Sequence, residues 1–472
     1  MRQGVVTRLF HLSTEAVRRR HTTKPVRKSS PQILNALLSP LPPAMTALLI
    51  PQTLFPLPFF PHPRNPSARS RTGPRRKPLT LTGSKEVERG VEFETGDSFF
   101  RRESAVGRDL GVLAAALHRM SLGRGLRVLD AMCGCGIRSL RYLSQAGAAF
   151  VWANDAFEGY RGLILSNLSG EARVSPEGDR RWVVTHLVAN KVLAECYLQR
   201  DFFDLVDIDS FGSDSSFMSL AIAAVKIGGL LYITSTDGYS SGGHRPYHSL
   251  ASYGAYVRPM PSSNEIGLRM LIGGAYREAV ALGFHLSPLF SYYSYHGPVF
   301  RVMLQVARGK PHKNSWYSFI SYCNRCGNSQ TFPWEELGQI SCPCRNGGVS
   351  SSVVVSGPLW TGPLHDAAYL TEMLKLAREW GWASTKQNDV DLEKLLNQMI
   401  DESDPQLPPG YIKLDEIARR AKINSPPIST LISTLEKEGF VACRSHIAPN
   451  AVKTNCPMAA CIHIARELGH VR

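Results

Sequence analysis

A parallel, doubly wound α/β sheet followed by a smaller α+β domain is predicted for this 472-residue chain by three observations. Short apolar runs alternate with segments of helical apolar spacing from about residue 105 to 310. A glycine-bearing loop, Asp130-Ala-Met-Cys-Gly-Cys-Gly136, joins the first such run to the next helical segment. After residue 310 the alternation stops, and a cysteine-rich stretch gives way to helix-dominated sequence.

The first 85 residues do not read as a domain. They hold fifteen Lys and Arg against one acid, Glu15, and twelve prolines fall from Pro31 to Pro78. Such a segment cannot bury a core, and it reads as an organelle transit peptide, for plastid or mitochondrion, followed by an irregular linker. A basic arm that binds RNA or directs nuclear import has the same composition. The rest of the chain carries 39 basic and 38 acidic side chains, so the net charge of +15 is almost wholly N-terminal. An RNA-binding surface on the folded part must therefore be a local patch. The longest apolar stretch, around Ala47–Phe60, is broken by Pro51, Pro56 and Pro58, which argues against a spanning helix. Six of the ten cysteines are scattered, as in a reducing compartment.

The elements follow in order. Arg108–Met120 has helical spacing, Leu126–Asp130 is a buried-strand pattern, and Ile137–Ala146 is helical again. Phe150–Asp155 reads as a strand, Gly159–Leu168 as a helix, and Trp182–Leu187, Phe203–Ile208 and Leu230–Thr236 as further strands. Ser215–Val225 and Glu265–Leu282 read as helices, and Val299–Ala307 as a late strand. This places one domain at 86–309 and a second at 310–472. In the second, Leu414–Ala421, Ser425–Gly439 and Val441–Ser445 read helix, helix, strand. That order suits a winged-helix module and equally a small helical domain without special function.

Two segments carry chemistry. In the glycine loop, backbone can approach a ligand at a helix N-terminus, and Asp155, twenty-five residues after Asp130, can bind both hydroxyls of a ribose. A dinucleotide site gives nearly the same pattern, as does an ordinary tight turn. Ser139 stands where the third glycine of G-x-G-x-x-G would be, which favours S-adenosylmethionine, a ligand with no pyrophosphate to cradle. The second segment, Phe203-Asp-Leu-Val-Asp-Ile-Asp209-Ser-Phe-Gly-Ser213, is a buried strand ending in an acid and an aromatic. An exocyclic base amine is a poor nucleophile because its lone pair is delocalised into the ring. A carboxylate that accepts its N–H frees that pair, and an aromatic face holds the base flat.

These and other segments together resemble the tRNA guanine-26 N2-dimethyltransferase family, from about Glu86 to the C-terminus. The resemblance rests on Phe99-Phe-Arg-Arg-Glu-Ser-Ala-Val-Gly-Arg108-Asp109-Leu, the cofactor loop through Arg138, Asn154-Asp155, and Asp207-Ile-Asp209-Ser-Phe211. Thr234–Asp237, Glu265–Arg269, Gly357–His365 and Ser445–Thr454 also look like family segments. The resemblance implies a class I Rossmann-like methyltransferase domain, then a C-terminal tRNA-binding α+β domain. It implies transfer of one or two methyl groups from S-adenosylmethionine to N2 of guanine in tRNA. It makes Asp209 the catalytic carboxylate and Phe99 and Phe211 the residues that hold the base. Arg108, Asp130, Arg138, Asp155 and Ala189 line the cofactor site by the same carry-over. Three positions depart from the family: Ser210 replaces a proline, Val188 an aspartate, and Phe100-Arg-Arg a Tyr-Asn-Pro.

Cys323-x-x-Cys326 and Cys342-x-Cys344 resemble a four-thiolate zinc site, a zinc knuckle standing in for a core that the segment lacks. Four thiolates leave no open position, so the metal is structural; four free buried thiols are the alternative. Cys133 and Cys135 read as packing residues, His244, His248 and His296 as structural or exposed, and Tyr292, Tyr293 and Tyr295 as sheet-edge packing. No membrane contact and no stable protein partner are expected. Three rival readings share parts of the pattern. One is a binding protein with weakened cofactor affinity, suggested by Val188 and Ser210. Another is a methyltransferase acting on a different RNA. The third, a nicotinamide dehydrogenase, is opposed by Ser139 and Asp209.

Overall fold

The chain enters through a hairpin of β1 (Lys85–Glu88) and β2 (Val91–Glu94), turned by Arg89 and Gly90 at φ +48° and +80°. Positive φ at both central residues matches the twist of the paired strands. The computed structural model describes residues 84–213, 215–309, 316–344, 352–385 and 390–470, which all lie in one compact unit, Pro78–Arg472. The expected transit segment and linker lie outside the described residues, apart from the last two positions.

Next come α1 (Ala105–Leu122), β3 (Leu126–Asp130), α2 (Ile137–Ser144), β4 (Ala148–Asn154), α3 (Arg161–Leu168) and β5 (Trp182–Thr185). Then follow α4 (Ala189–Gln199), β6 (Phe203–Asp209), α5 (Ser215–Ala224) and β7 (Val225–Ser235). Two short helices, α6 (Gly238–Ser241) and α7 (Pro246–Tyr253), lead to α8 (Ser263–Ala281) and the antiparallel pair β8 (Phe284–Ser294) and β9 (Val299–Arg308). The seven-stranded sheet has the order β5-β4-β3-β6-β7-β9-β8, parallel up to β7 and antiparallel beyond it. Its order reverses between β3 and β6, and ligands bind outside the strand ends at such a switch point. β6 is buried along almost its whole length, as a central strand covered on both faces must be.

The sequence reading found each parallel strand but missed α4 and β8. The α4 stripe of Val192, Leu193 and Cys196 is short and lies beside exposed Tyr197 and Leu198, which blurs its period. β8 contains Pro288, and the register slips between Pro288 and Phe290. Proline withholds a ladder donor and is accepted here because β8 is the edge strand.

The C-terminal half begins with β10 (Tyr317–Cys323), β11 (Ser329–Phe332) and β12 (Val353–Trp360), a three-stranded antiparallel sheet. Next, α9 (Ala367–Glu379) and α10 (Leu392–Asp401) return to the first sheet. Leu370, Met373 and Leu396 join the core formed by α1, α2 and β3, and the Tyr369 hydroxyl donates to the Ala114 carbonyl. The chain closes with β13 (Ile412–Lys413), α11 (Leu414–Ala421), α12 (Ile428–Lys437), β14 (Ala442–Arg444), β15 (Ala451–Thr454) and α13 (Met458–His470). From α10 to β15 the order is helix, strand, helix, helix, strand, strand with the sheet β13-β15-β14, the topology of a winged helix.

Three segments singled out in the sequence meet one another in a buried charged network. Glu265 of α8 accepts from Arg269 at 2.8 Å and from Lys453 of β15 at 2.7 Å, and the Gly410 N–H donates to it. Lys453 also lies 3.9 Å from Glu402, which the backbone N–H and the ring of His446 approach and which His365 faces at 3.8 Å. Lys453 and Arg269 hold Glu265 at about 2, against its burial, and His446, His365 and Lys453 hold Glu402 well below the usual carboxylate range.

Candidate active site

The site is built from the carboxyl ends of β3, β4 and β6. The β3–α2 loop turns at Gly134 and Gly136, with φ +56° and +86°, where a side chain would be strained. Asp155 braces this loop: its Oδ2 accepts from the Gly134 N–H at 3.0 Å and its Oδ1 from the Phe157 N–H at 2.9 Å. Asn154 is buried and ties the Ala131 and Leu187 carbonyls together, fixing β4 against the start of α4. Ala189 is the first residue of α4 and is buried. Val188, just before it, is 63% exposed and offers the helix no side-chain cap.

Asp130 is not at the surface of the loop. It lies fully buried beneath it, and accepts from the Ser139 hydroxyl at 2.7 Å. Burial and the facing Asp207 raise its pKa to about 8, so it stays protonated at neutral pH. The Cys133 and Cys135 thiols are buried and their pKa values raised by that burial, which leaves them as packing groups.

Arg138 projects from α2 to Asp207 at 3.0 Å and Asp209 at 2.7 Å, and Tyr142 also donates to Asp207, at 2.6 Å. Burial opposes the charge on Asp209, but Arg138, and then Arg301, outweigh it and hold the carboxyl at about 2. Asp209 keeps 28% of its side chain exposed, so an ionised carboxylate faces solvent at the strand end. Arg108 is engaged by Glu88 of β1, at 2.9 Å through Nε, and its guanidinium lies over the Phe100 ring.

The turn after Asp209 is pinned to β7. The buried Ser210 hydroxyl donates to the Thr234 carbonyl at 3.2 Å, and the Gly212 N–H to the Thr236 hydroxyl at 2.7 Å. Serine thus keeps by hydrogen bonding the turn that a proline would keep by ring closure. Phe211 and Phe99 project outward, 67% and 56% exposed, with ring centroids 4.5 Å apart and planes at 90°. The two rings meet edge to face beside the strand end that carries Asp209. Arg101 caps the Phe99 face at 5.1 Å.

Sequence reading missed three members of this constellation, Glu88, Tyr142 and Arg301. Arg301 had a signal: it is the one charged residue within Val299–Val306 of a buried strand. Glu88 had none, because it pairs with Arg108 across a hairpin of ordinary composition.

The four cysteines also come together. Their Sγ atoms all lie within 4.8 Å of one another, with Cys323 and Cys344 at 3.7 Å and Cys326 and Cys342 at 3.4 Å. A tetrahedral zinc with four thiolates at about 2.3 Å requires sulfur separations of roughly 3.8 Å. The donor set and its spacing therefore fit such an ion.

Comparison with known proteins places the chain in a family. The family model for N2,N2-dimethylguanosine tRNA methyltransferase matches residues 84–466. The tRNA (guanine(26)-N(2))-dimethyltransferase of Pyrococcus horikoshii is 28% identical over 379 residues, 78% of this chain and 92% of its own. The enzyme of the same name from Aeropyrum pernix is 29% identical, over 79% of this chain and 89% of its own. Among solved structures, Trm1 from Pyrococcus horikoshii in complex with S-adenosyl-L-methionine superposes with a TM-score of 0.66 at 26% identity. That match covers 81% of this chain and 99% of the other.

Proposed function

Since the chain belongs to the N2,N2-dimethylguanosine tRNA methyltransferase family, we propose that it transfers methyl groups from S-adenosylmethionine to N2 of guanine 26 in tRNA, giving N2-methyl- and N2,N2-dimethylguanosine. The observation that carries this reading is an ionised, partly exposed Asp209 beside two exposed aromatic rings at the sheet's switch point. S-adenosylmethionine supplies an electrophilic methyl group. Asp209 accepts the N2–H, so the amine lone pair turns from the ring toward the methyl donor. As the N2–carbon bond forms, the sulfonium S–CH3 bond would break and S-adenosylhomocysteine leave as the neutral thioether, while positive charge grows on N2 and the fixed carboxylate stabilises it. With its pKa at about 2, Asp209 orients and stabilises rather than stores the proton, which passes to water. Phe99 and Phe211 hold the base plane, a stacking contribution of ~1–3 kcal/mol. Asp155 and Ala189 are the cofactor-facing residues of this reading, with Asp130 bracing the loop through Ser139 and Arg138 orienting Asp209. Arg108, held by Glu88, is a further cofactor-facing residue of the same reading.

The test is tritiated methyl transfer to unmodified tRNA bearing guanine or adenine at position 26. Transfer to the first and none to the second supports the reading; tRNA binding with no transfer supports a binding protein instead. Val188 is apolar where an acid could accept from the cofactor's adenine amine, and this gives a second expectation. Val188→Asp supplies that acceptor and also caps α4, so it lowers the KM for S-adenosylmethionine roughly 2- to 10-fold. The same cap adds about 1 kcal/mol to stability in urea unfolding. An unchanged KM would mean that the aspartate only caps the helix.

Cys323, Cys326, Cys342 and Cys344 would hold a structural zinc that braces β10 and β11, with no open position for chemistry. Metal analysis is expected to find one zinc per chain, lost in Cys326→Ser together with protection of the 323–344 segment from protease. For residues 1–85 the reading is an organelle transit peptide and linker. Its support is compositional, and import of a fluorescent protein fused to that segment tests it.

A further inference from the structure

Asp209 has a second cation beside it. Arg301 of β9 is paired with Thr234 of β7, which is paired in turn with Asp209 of β6. Residues in register on neighbouring strands project from the same face, so the Asp209 and Arg301 side chains lie on one side of the sheet. The Arg301 side chain runs over Gly107 of α1, where a Cβ would meet its Cδ and Nε at 2.8 Å. A side chain at this position would force the guanidinium to shift.

That guanidinium is 2% exposed and poorly satisfied. Its Nη2 lies 3.6 Å from Asp209 Oδ1 and 3.5 Å from the Ser104 hydroxyl, both at or beyond hydrogen-bond length. Its Nε and Nη1 donate to nothing among the described residues. The neighbouring buried arginines differ: Arg138 is bound by Asp207 and Asp209, and Arg141 by Glu88, Asp109 and Gln145. Arg138, at 2.7 Å, is the closer cation to Asp209, and Arg301 stands off at 3.6 Å. Burying donors without partners is costly, and an acceptor brought in by the substrate would relieve that cost.

Guanine presents O6, N1–H and N2–H along one edge. When a carboxylate accepts from N1 and N2, a cation beside that carboxylate comes next to O6. Adenine offers an amine donor there, which a guanidinium repels, whereas guanidinium to guanine O6 is a recurrent recognition pair. We propose that Arg301 donates to O6 of the target guanine while Asp209 accepts from its N1–H and N2–H, so that the two residues read the whole edge. This rests on the guanine methyltransferase reading above.

The experiment compares the full chain with Arg301→Met on tRNA carrying guanine or 2-aminopurine at position 26. 2-Aminopurine keeps the N2 amine and lacks both O6 and N1–H. On guanine, Arg301→Met is expected to lower kcat/KM by roughly 5- to 100-fold. On 2-aminopurine the same substitution is expected to cost less than about 3-fold, because that base has no O6 to accept from Arg301. The missing N1–H weakens both proteins alike and cancels. Equal losses on the two bases would overturn the proposal and leave Arg301 as a positioning residue acting through Asp209. Isothermal titration with S-adenosylmethionine reports whether the variant is folded. If Arg301→Met does not bind it, Arg301→Lys, which keeps the charge and one donor, carries the same comparison. Should the wild-type chain methylate neither base, the functional reading itself fails, and the role of Arg301 with it.

Discussion

Asp209→Ala is expected to lower methyl transfer to guanine-26 tRNA by on the order of 10²–10⁴-fold, the range for loss of a group that works on the proton of a reacting amine. The substitution also leaves Arg138 with Asp207 alone and takes the nearby carboxylate from Arg301, so part of the loss will be rearrangement. Asp209→Asn separates the two effects. It keeps the shape and one acceptor but exchanges the charge and the second acceptor for an amide donor, so its loss should be smaller than that of Asp209→Ala while S-adenosylmethionine affinity holds. Retained activity in both variants would remove Asp209 from the mechanism. The pH dependence has a definite sign. Arg138 and Arg301 depress the Asp209 pKa to about 2, so the carboxylate is ionised at every pH above about 4. Its protonation then contributes no acid limb to the rate between about pH 5 and 8. A limb in that window that disappears in Asp209→Asn would show that the carboxyl titrates there.

Lys453→Met is expected to destabilise the fold by about 3–5 kcal/mol, measured by urea or guanidinium unfolding of the whole chain. Lys453 is 3% exposed and the only side chain that approaches both Glu265 and Glu402 among the described residues. Removing it leaves Glu265 with Arg269, and Glu402 with two imidazoles, in a dry junction between α8, α10 and β15. A second substitution, Glu402→Gln, removes the orphaned charge and should recover part of the loss, a coupling that a double-mutant cycle reads directly. Unfolding at the wild-type denaturant concentration would show that the network adds nothing to stability. The same junction sets an acid-side window. Burial lowers the His365 pKa from 6.5 to about 4, so the unfolded chain takes up its proton first, and stability falls as pH drops below 6.5. The depressed carboxylates of Glu265 and Glu402 contribute stability above about 4.5, and that contribution is lost as pH falls further toward 2.

Different parts of the molecule were legible in the sequence for different reasons. The parallel strands showed because they are buried on both faces and read as continuous apolar runs between turn residues. The glycine loop, Asp155 and Asp209 showed because each sits at a strand end, where the chain itself brings the group to the ligand side. Ser210 was legible as a departure, but its consequence was not. Only the hydrogen bond to the Thr234 carbonyl shows that the turn survives. Arg108 was legible as an arginine near the site, yet its engagement by Glu88 depends on a hairpin folding back on α1.

By itself, the sequence determined the order of strands and helices, the glycine turn with its acids, and the pairing of four cysteines in two short motifs. All of these are local: period, turn chemistry and spacing lie within a few tens of residues. Tertiary structure alone decided which charges meet. Asp209 and Arg301 are ninety-two positions apart and become neighbours only because β7 lies between β6 and β9. Glu265 and Lys453 are 188 apart and touch only because the C-terminal sheet docks on α8. A charge carries no periodic signature of its partner. Its energy depends on distance and burial, which exist only after the chain has closed on itself.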